Sequence, residues 1–133
     1  MEIYEGQVVI VAGGGAGIGA AAATLLASRG ATVIVSDVVL SNAEKVAAEI
    51  TGAGDKAVAR ELNVADQSGV SNFINSVAKE FGRLDAIVNS AGIVGPTNTP
   101  IEKITASDIE KVLSINLLGA IWLTQAVLPV MKK

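Results

Sequence analysis

Short apolar runs alternate along this chain with longer segments of helical periodicity. The first run, residues 8–11, is β-branched and free of polar residues, which is typical of a parallel strand buried on both faces. An alanine-rich stretch at residues 17–28 predicts a helix, and the apolar run 33–35 predicts a second strand that ends at Asp37. The chain therefore begins as a strand–helix–strand unit.

The next helix is predicted from its boundary residues. Ser41 and Glu44 have the spacing of a capping box, which indicates a helix that starts there and runs to about Ile50. Gly52 and Gly54 are then expected to end it.

The alternation continues in the second half of the chain. Residues 56–62 alternate apolar and polar positions and predict a strand near a sheet edge. Asp66 is a candidate cap for a helix that ends before Gly82, and residues 84–89 predict a fourth strand.

The last segment is loop followed by helix. Residues 93–104 are predicted to be loop, and Thr105 with Asp108 is predicted to cap a helix whose apolar part covers 109–131. Its length and composition approach those of a membrane span, but five residues interrupt or limit the apolar run. A helix buried in protein on most of its surface is therefore the preferred interpretation. The five residues are Ser114, Asn116, Thr124, Gln125 and Pro129.

This order of elements predicts an α/β fold of the Rossmann type. Right-handed crossovers give a doubly wound parallel sheet with strand order 3-2-1-4 and helices on both faces. The strand tips carrying Gly13, Asp37, Asn63 and Asn89 then share one edge, where ligands of open α/β sheets bind. We expect residues 1–133 to form a single domain.

Five glycines lie between the first strand and the first helix: Gly13, Gly14, Gly15, Gly17 and Gly19. Glycine permits positive φ and lets backbone N–H groups approach a ligand. The N-terminus of the following helix favours an anionic group at the same place. With an acid at the tip of the next strand, this context predicts a dinucleotide site; the alternative is a tight turn of small residues that serves packing alone.

Asp37 adds a cofactor preference. A carboxylate at this tip can accept hydrogen bonds from both hydroxyls of an adenosine ribose. A 2′-phosphate would meet its negative charge, and no Arg or Lys follows within seven residues. NAD is therefore favoured over NADP.

Composition narrows the possible partners. The net charge is −3 and aromatic residues make up 3%, which argues against nucleic acid. The sequence has no Cys and no His, which removes disulfides and the commonest metal ligand and general base. The acidic N-terminus does not resemble a signal peptide. We expect a cytoplasmic protein with no metal and no membrane partner.

Together these residues resemble the N-terminal, cofactor-binding half of the short-chain dehydrogenase/reductase family. Residues 12–19, AGGGAGIG, are similar to its TGxxxGIG phosphate loop, and residues 89–92, NSAG, to its NNAG motif. Asn63-Val64 falls where the family has an Asp-Val pair that contacts adenine. The resemblance implies cofactor contacts at Gly13, Gly15, Gly17, Ile18, Gly19, Asp37, Asn63, Val64, Asn89, Ala91 and Gly92. It makes Asn116 the only member of the catalytic tetrad in the chain.

The chain also departs from the family pattern. Ala12, Asn63 and Ser90 stand where the family has Thr, Asp and Asn, and each change is mild. The family's catalytic Ser and Tyr-x-x-x-Lys are missing, since the only tyrosine is Tyr4. Reduction of a carbonyl requires a proton donor, so hydride transfer by these residues alone is not expected.

Three functions follow from this. The first is an NAD-dependent oxidoreductase for an alcohol or carbonyl substrate, present as its cofactor-binding part. The second is a naturally short, non-redox protein that binds nucleotides or partners, or templates a reaction. The third, a structural oligomer without ligand, is disfavoured by the glycine loop. An open edge at strand 84–89 and the apolar helix 109–131 also predict association, most simply as a two-fold dimer.

Overall fold

In the computed structural model, which describes residues 3–132, four parallel strands lie in the predicted order β3-β2-β1-β4. Every residue of the first strand is buried, because it lies between two layers of helices. The strands are β1 (Val8–Ala12), β2 (Thr32–Asp37), β3 (Lys56–Glu61) and β4 (Ala86–Asn89).

Helices cover both faces of the sheet. Val9 and Val11 of β1 pack into one core with α1 and α2, whereas Ile10 packs into the other with α3 and α5. This division follows from the two-residue period of a strand. The predicted doubly wound α/β architecture is confirmed. The helices are α1 (Gly17–Ser28), α2 (Leu40–Gly52), α3 (Gln67–Phe81), α4 (Ala106–Leu113) and α5 (Gly119–Met131).

The start of α2 differs from the prediction. Val39 is its N-cap residue and no side chain caps it, so the capping box at Ser41 does not form. The Val39 N–H instead donates to Oδ1 of Asp37, at 3.0 Å. A carboxylate at the end of β2 thus holds the N-cap residue itself, and this residue lies two positions before the predicted Ser41.

The caps predicted for the later helices are present. Asp66 accepts from the Gly69 N–H, and Gly82 ends α3 in the left-handed conformation. Thr105 and Asp108 form the reciprocal capping box of α4. The predicted loop 93–104 contains a short 3₁₀ turn, Ile101–Lys103.

The last helical stretch is neither regular nor mostly buried. A π-helical turn, Ser114–Leu118, separates α4 from α5. In α5 only Gly119, Leu123 and Val127 are buried, so the prediction of a helix buried on most of its surface is wrong. The helix packs against α3 along one face, where Trp122, Ala126 and Val130 are partly buried, and its opposite face is exposed.

This same stretch, Ala106–Met131, is long and apolar enough to cross a membrane by length and composition alone. Of its most apolar 18-residue window, 17% is buried. One such helix is weak evidence for a membrane span, because helices that pack in water-soluble proteins can pass the same test.

The fourth strand starts at Ala86, two residues later than predicted. The side chain of the preceding residue, Asp85, binds the start of β1. Its Oδ2 accepts the N–H of Val8 at 2.8 Å and also the Nε–H of Arg83 at 2.8 Å. The side-chain hydrogen bond from Arg83 is the main cause that lowers the pKa of Asp85, and the Val8 N–H adds to it. Asp85 therefore connects the start of β1 to the start of β4.

The variant Asp85→Asn is expected to lower the free energy of unfolding by about 1 kcal/mol at pH 7. A lowered folded-state pKa stabilises the protein above the ordinary carboxyl pKa, and this stability is lost as pH falls through the folded value. The difference between the wild type and the variant should therefore narrow as pH falls below about 4, the ordinary carboxyl pKa. Urea unfolding between pH 3 and 7 measures the difference, with Glu49→Gln on exposed α2 surface as control. A difference that persists undiminished in acid would contradict this account.

Candidate functional site

A cavity of about 450 Å³ opens at the carboxyl edge of the sheet. Strand register creates it, because Ala12 at the end of β1 lies opposite Ser36 of β2 and Asn89 of β4. The segments that follow these strands must therefore meet. The predicted residues that line the cavity are Gly13, Gly17, Ile18, Asp37, Asn63, Val64, Ala91 and Gly92.

Gly13 fits between the tips of β1 and β4. Its φ is +74°, and an added Cβ would lie 2.6 Å from the Ala91 nitrogen. A Cβ on Gly19 would in turn strike the carbonyl oxygen of Gly13. Gly19 does not line the cavity. Because it has no side chain, α1 can pack close to the loop.

The N-terminus of α1 faces this cavity without a competing acceptor in the described part of the chain. Ala16 is the N-cap residue, no side chain caps it, and the first turn contains no acid. Gly17 and Ile18 line the cavity, and the Ile18 residue is 84% exposed. Free N–H groups and the helix dipole make this end suited to an anion such as a diphosphate.

Asp37 ends β2 as predicted and lines the cavity. Its Oδ2 accepts the N–H of Gly15 at 3.0 Å and its Oδ1 accepts the N–H of Val39 at 3.0 Å. Gly15 itself does not line the cavity, so its predicted direct cofactor contact has no support in the geometry.

The segment after β3 forms a second wall of the cavity. Oδ1 of Asn63 accepts the N–H of Ala65 at 3.0 Å, so this oxygen already has one partner. Val64 is buried, and an added Cβ on Gly119 would lie 2.8 Å from one of its methyl groups. A glycine in α5 thus makes room for the side chain that lines this wall.

The segment after β4 is held by backbone contacts. The Ser90 N–H donates to the Ala12 carbonyl at 2.8 Å, so the tips of β1 and β4 are joined without the hydroxyl that Thr would supply at position 12. Oδ1 of Asn89 accepts the N–H of Ala91 at 3.2 Å. Asn89 therefore shapes the turn and does not line the cavity.

Asn116 lies in the π-helical turn, outside the cavity lining. Its Nδ2 donates to the Ile93 carbonyl at 2.7 Å, and its Oδ1 accepts the Ile93 N–H at 2.9 Å. Both ends of the amide are thus engaged by one backbone unit. Asn116 positions the loop after β4, and its predicted catalytic role has no direct geometric support.

Six further residues line the cavity and were not predicted as contacts. Most are apolar neighbours of predicted residues, so the only signal in the sequence was their adjacency to strand tips and motifs. They are Ala16, Val38, Leu62, Ser90, Ile93 and Ile115. Within residues 3–132, no group of three or more acidic side chains is placed to hold a metal ion.

The strand order, the glycine turn before α1 and the cavity at the switch between β1 and β4 define a Rossmann-type domain. A family model described as short chain dehydrogenase matches residues 7–133. The chain therefore belongs to the short-chain dehydrogenase family.

Individual relatives agree with this assignment. The chain is 34% identical over 129 residues to a 3-oxoacyl-(acyl-carrier-protein) reductase of Thermotoga maritima, covering 97% of this chain and 52% of that protein. It is 38% identical to a D-threitol dehydrogenase of Mycolicibacterium smegmatis, covering 92% and 46%. A solved citronellol catabolism dehydrogenase of Pseudomonas aeruginosa PAO1 has TM-score 0.89 and 30% identity, covering 96% and 52%. The chain thus spans about half the length of these relatives.

The variant Gly13→Ala should destabilise the protein by about 2–4 kcal/mol, because it combines positive φ with a backbone clash. Gly17→Ala is the matched control, since Gly17 also has positive φ but an added Cβ there meets nothing within 4 Å. Its cost should be about 1 kcal/mol. Denaturant unfolding measures both, and equal losses would refute the close contact at Gly13.

Proposed function

We propose that this chain forms the cofactor-binding part of an NAD-dependent oxidoreductase that acts on an alcohol or carbonyl compound. Family membership implies a nicotinamide cofactor, which supplies or accepts the hydride when bound. The observation that carries the proposal is the cavity in which the uncapped N-terminus of α1 lies beside the Asp37 carboxylate.

The residues of the cavity fit the parts of such a cofactor. The N-terminus of α1, with Gly17 and Ile18, would hold the diphosphate. Asp37 would accept the ribose hydroxyls, and the wall formed by Leu62 and Val64 would contact adenine. Ala91 and its neighbours would then lie beside the nicotinamide half.

The preference for NAD rests on charge at the ribose end. Asp37 brings a carboxylate that would repel a 2′-phosphate. Arg60 on the adjacent strand donates to Glu80 at 2.9 Å, so this guanidinium is already paired. These two observations favour a free 2′-hydroxyl.

Calorimetric titration should give at least tenfold tighter binding of NAD than of NADP. Asp37→Ala should bring the two affinities within about threefold, mainly by weakening NAD, because one charged hydrogen bond corresponds to about tenfold or more. Glu61→Gln is the control: it removes a neighbouring charge at the end of β3 and should leave the preference for NAD over NADP unchanged. Tighter binding of NADP by the wild type would exclude this cofactor assignment.

A non-redox nucleotide-binding protein is the second candidate, and Asn116 is the observation that favours it. Its amide is engaged at both ends by the Ile93 backbone, so it positions the loop after β4. NADH formation from NAD in the presence of a panel of secondary alcohols would exclude this second function, because a non-redox protein transfers no hydride.

We also propose a cytoplasmic protein whose partners are a small-molecule substrate and a second copy of this chain, with neither nucleic acid nor membrane. The net charge of −3 supports the exclusion of nucleic acid. Leu123 and Val127 pack into the same core as α3, which supports a helix that packs on protein and not in lipid.

A two-fold dimer would cover the apolar surface that remains. Leu117, Ile121 and Leu128 line one exposed groove along α5, and Leu117 is 52% exposed. Among residues 3–132, β4 pairs only with β1, which leaves its other edge open. An exposed apolar groove and an open strand edge each favour self-association.

Leu117→Glu is expected to convert a dimer into single chains, because it places a charge in the centre of the apolar groove. Leu25→Glu on α1, where the leucine is 55% exposed, should leave the dimer intact. Light scattering after size exclusion measures both masses. A wild-type mass of one chain at micromolar concentration would rule out the dimer.

A further inference from the structure

The Asp37 carboxylate does more than face the cavity, since both of its oxygens hold backbone N–H groups. One belongs to Gly15 in the glycine loop and the other to Val39 at the start of α2, each at 3.0 Å. We propose that Asp37 is a positioning residue that holds the glycine loop in the shape required by a diphosphate. This inference rests on the proposed nucleotide-binding function and adds a second role for the residue that selects the ribose.

The contact with Gly15 is closely fitted. An added Cβ at this position would lie 2.7 Å from Oδ2 of Asp37 and 2.7 Å from Cβ of Asn42. Gly15 is not among the glycines with positive φ, so its backbone conformation does not require glycine. The absence of a side chain is instead required by the approach of the carboxylate.

The loop is held by two consecutive residues of β2. The Gly14 N–H donates to the Ser36 carbonyl at 2.9 Å, and the Ser36 hydroxyl donates to the Val11 carbonyl at 2.9 Å. The next residue of β2, Asp37, binds the loop through its side chain, which accepts the Gly15 N–H. Gly14 and Gly15 are thereby fixed to β2, and the following residues line the cavity.

The carboxylate can serve the loop and a ligand together. It offers about four lone-pair sites, and two of them accept the N–H groups of the loop and of α2. Two remain for the hydroxyls of a ribose. An asparagine offers only one oxygen, so its NH₂ group would face one of the two backbone N–H groups.

The test compares ADP with 2′,3′-dideoxy-ADP, which keeps the diphosphate but lacks both ribose hydroxyls. Asp37→Asn should weaken binding of both ligands, and that of the dideoxy ligand by about fivefold or more. Loss of a negative charge near a diphosphate would by itself strengthen binding, so this weakening must come from the loop. Glu61→Gln, on the residue paired with Asp37 across the sheet, should not weaken either ligand.

A second variant keeps the carboxylate and disturbs only the contact. Gly15→Ala should also weaken the dideoxy ligand, because its Cβ displaces the Asp37 side chain. In the ligand-free protein, hydrogen exchange at the Gly15 amide should be faster in Asp37→Asn than in Glu61→Gln.

Two outcomes would overturn this inference alone, and a third would overturn the proposed function. If Asp37→Asn weakens ADP but leaves the dideoxy ligand as in Glu61→Gln, Asp37 acts on the ribose alone and this inference is overturned while the proposed function stands. Equal Gly15 exchange in the two variants would overturn it as well. If the wild type binds neither ligand nor NAD, the proposed function itself fails.

Discussion

The hydrogen-bonded register of β1 with its two neighbours is the constraint on which the site depends. It places the end of β1 opposite Ser36 on one side and Asn89 on the other. The glycine loop, Asp37 and the turn after β4 meet only because these three strands end at one level. A slip of one residue would turn each side chain of a strand to the opposite face. It would thereby remove both the core and the cavity.

Polar side chains that bind backbone groups hold the turns around this cavity. Asn63, Asn89 and Asn116 each direct an amide oxygen to a backbone N–H near the cavity. The polar residues that follow the strands therefore serve first to hold irregular turns in one conformation.

The sequence was sufficient to predict the fold and most of the cavity, because strict apolar runs and glycines report local backbone requirements. It misplaced the start of α2 because Asp37, whose side chain was assigned only to a ligand, binds the N–H of the N-cap residue Val39. It overestimated the burial of the last helix because composition reports how apolar a helix is and not how many neighbours it has. The role of Gly15 was also beyond its reach, since its close partners Asp37 and Asn42 lie more than twenty residues further along the chain.

Gly119 shows how local preference can yield to long-range fit. Alanine would be better by about 1 kcal/mol inside a helix, yet a methyl group here would press on Val64. The first turn of α5 therefore gives up helical propensity so that the wall after β3 can lie close to it. Gly119 directly follows the π-helical turn. The change in helical hydrogen bonding and the close approach to Val64 therefore coincide at one point of the long helix, beside the wall of the cavity.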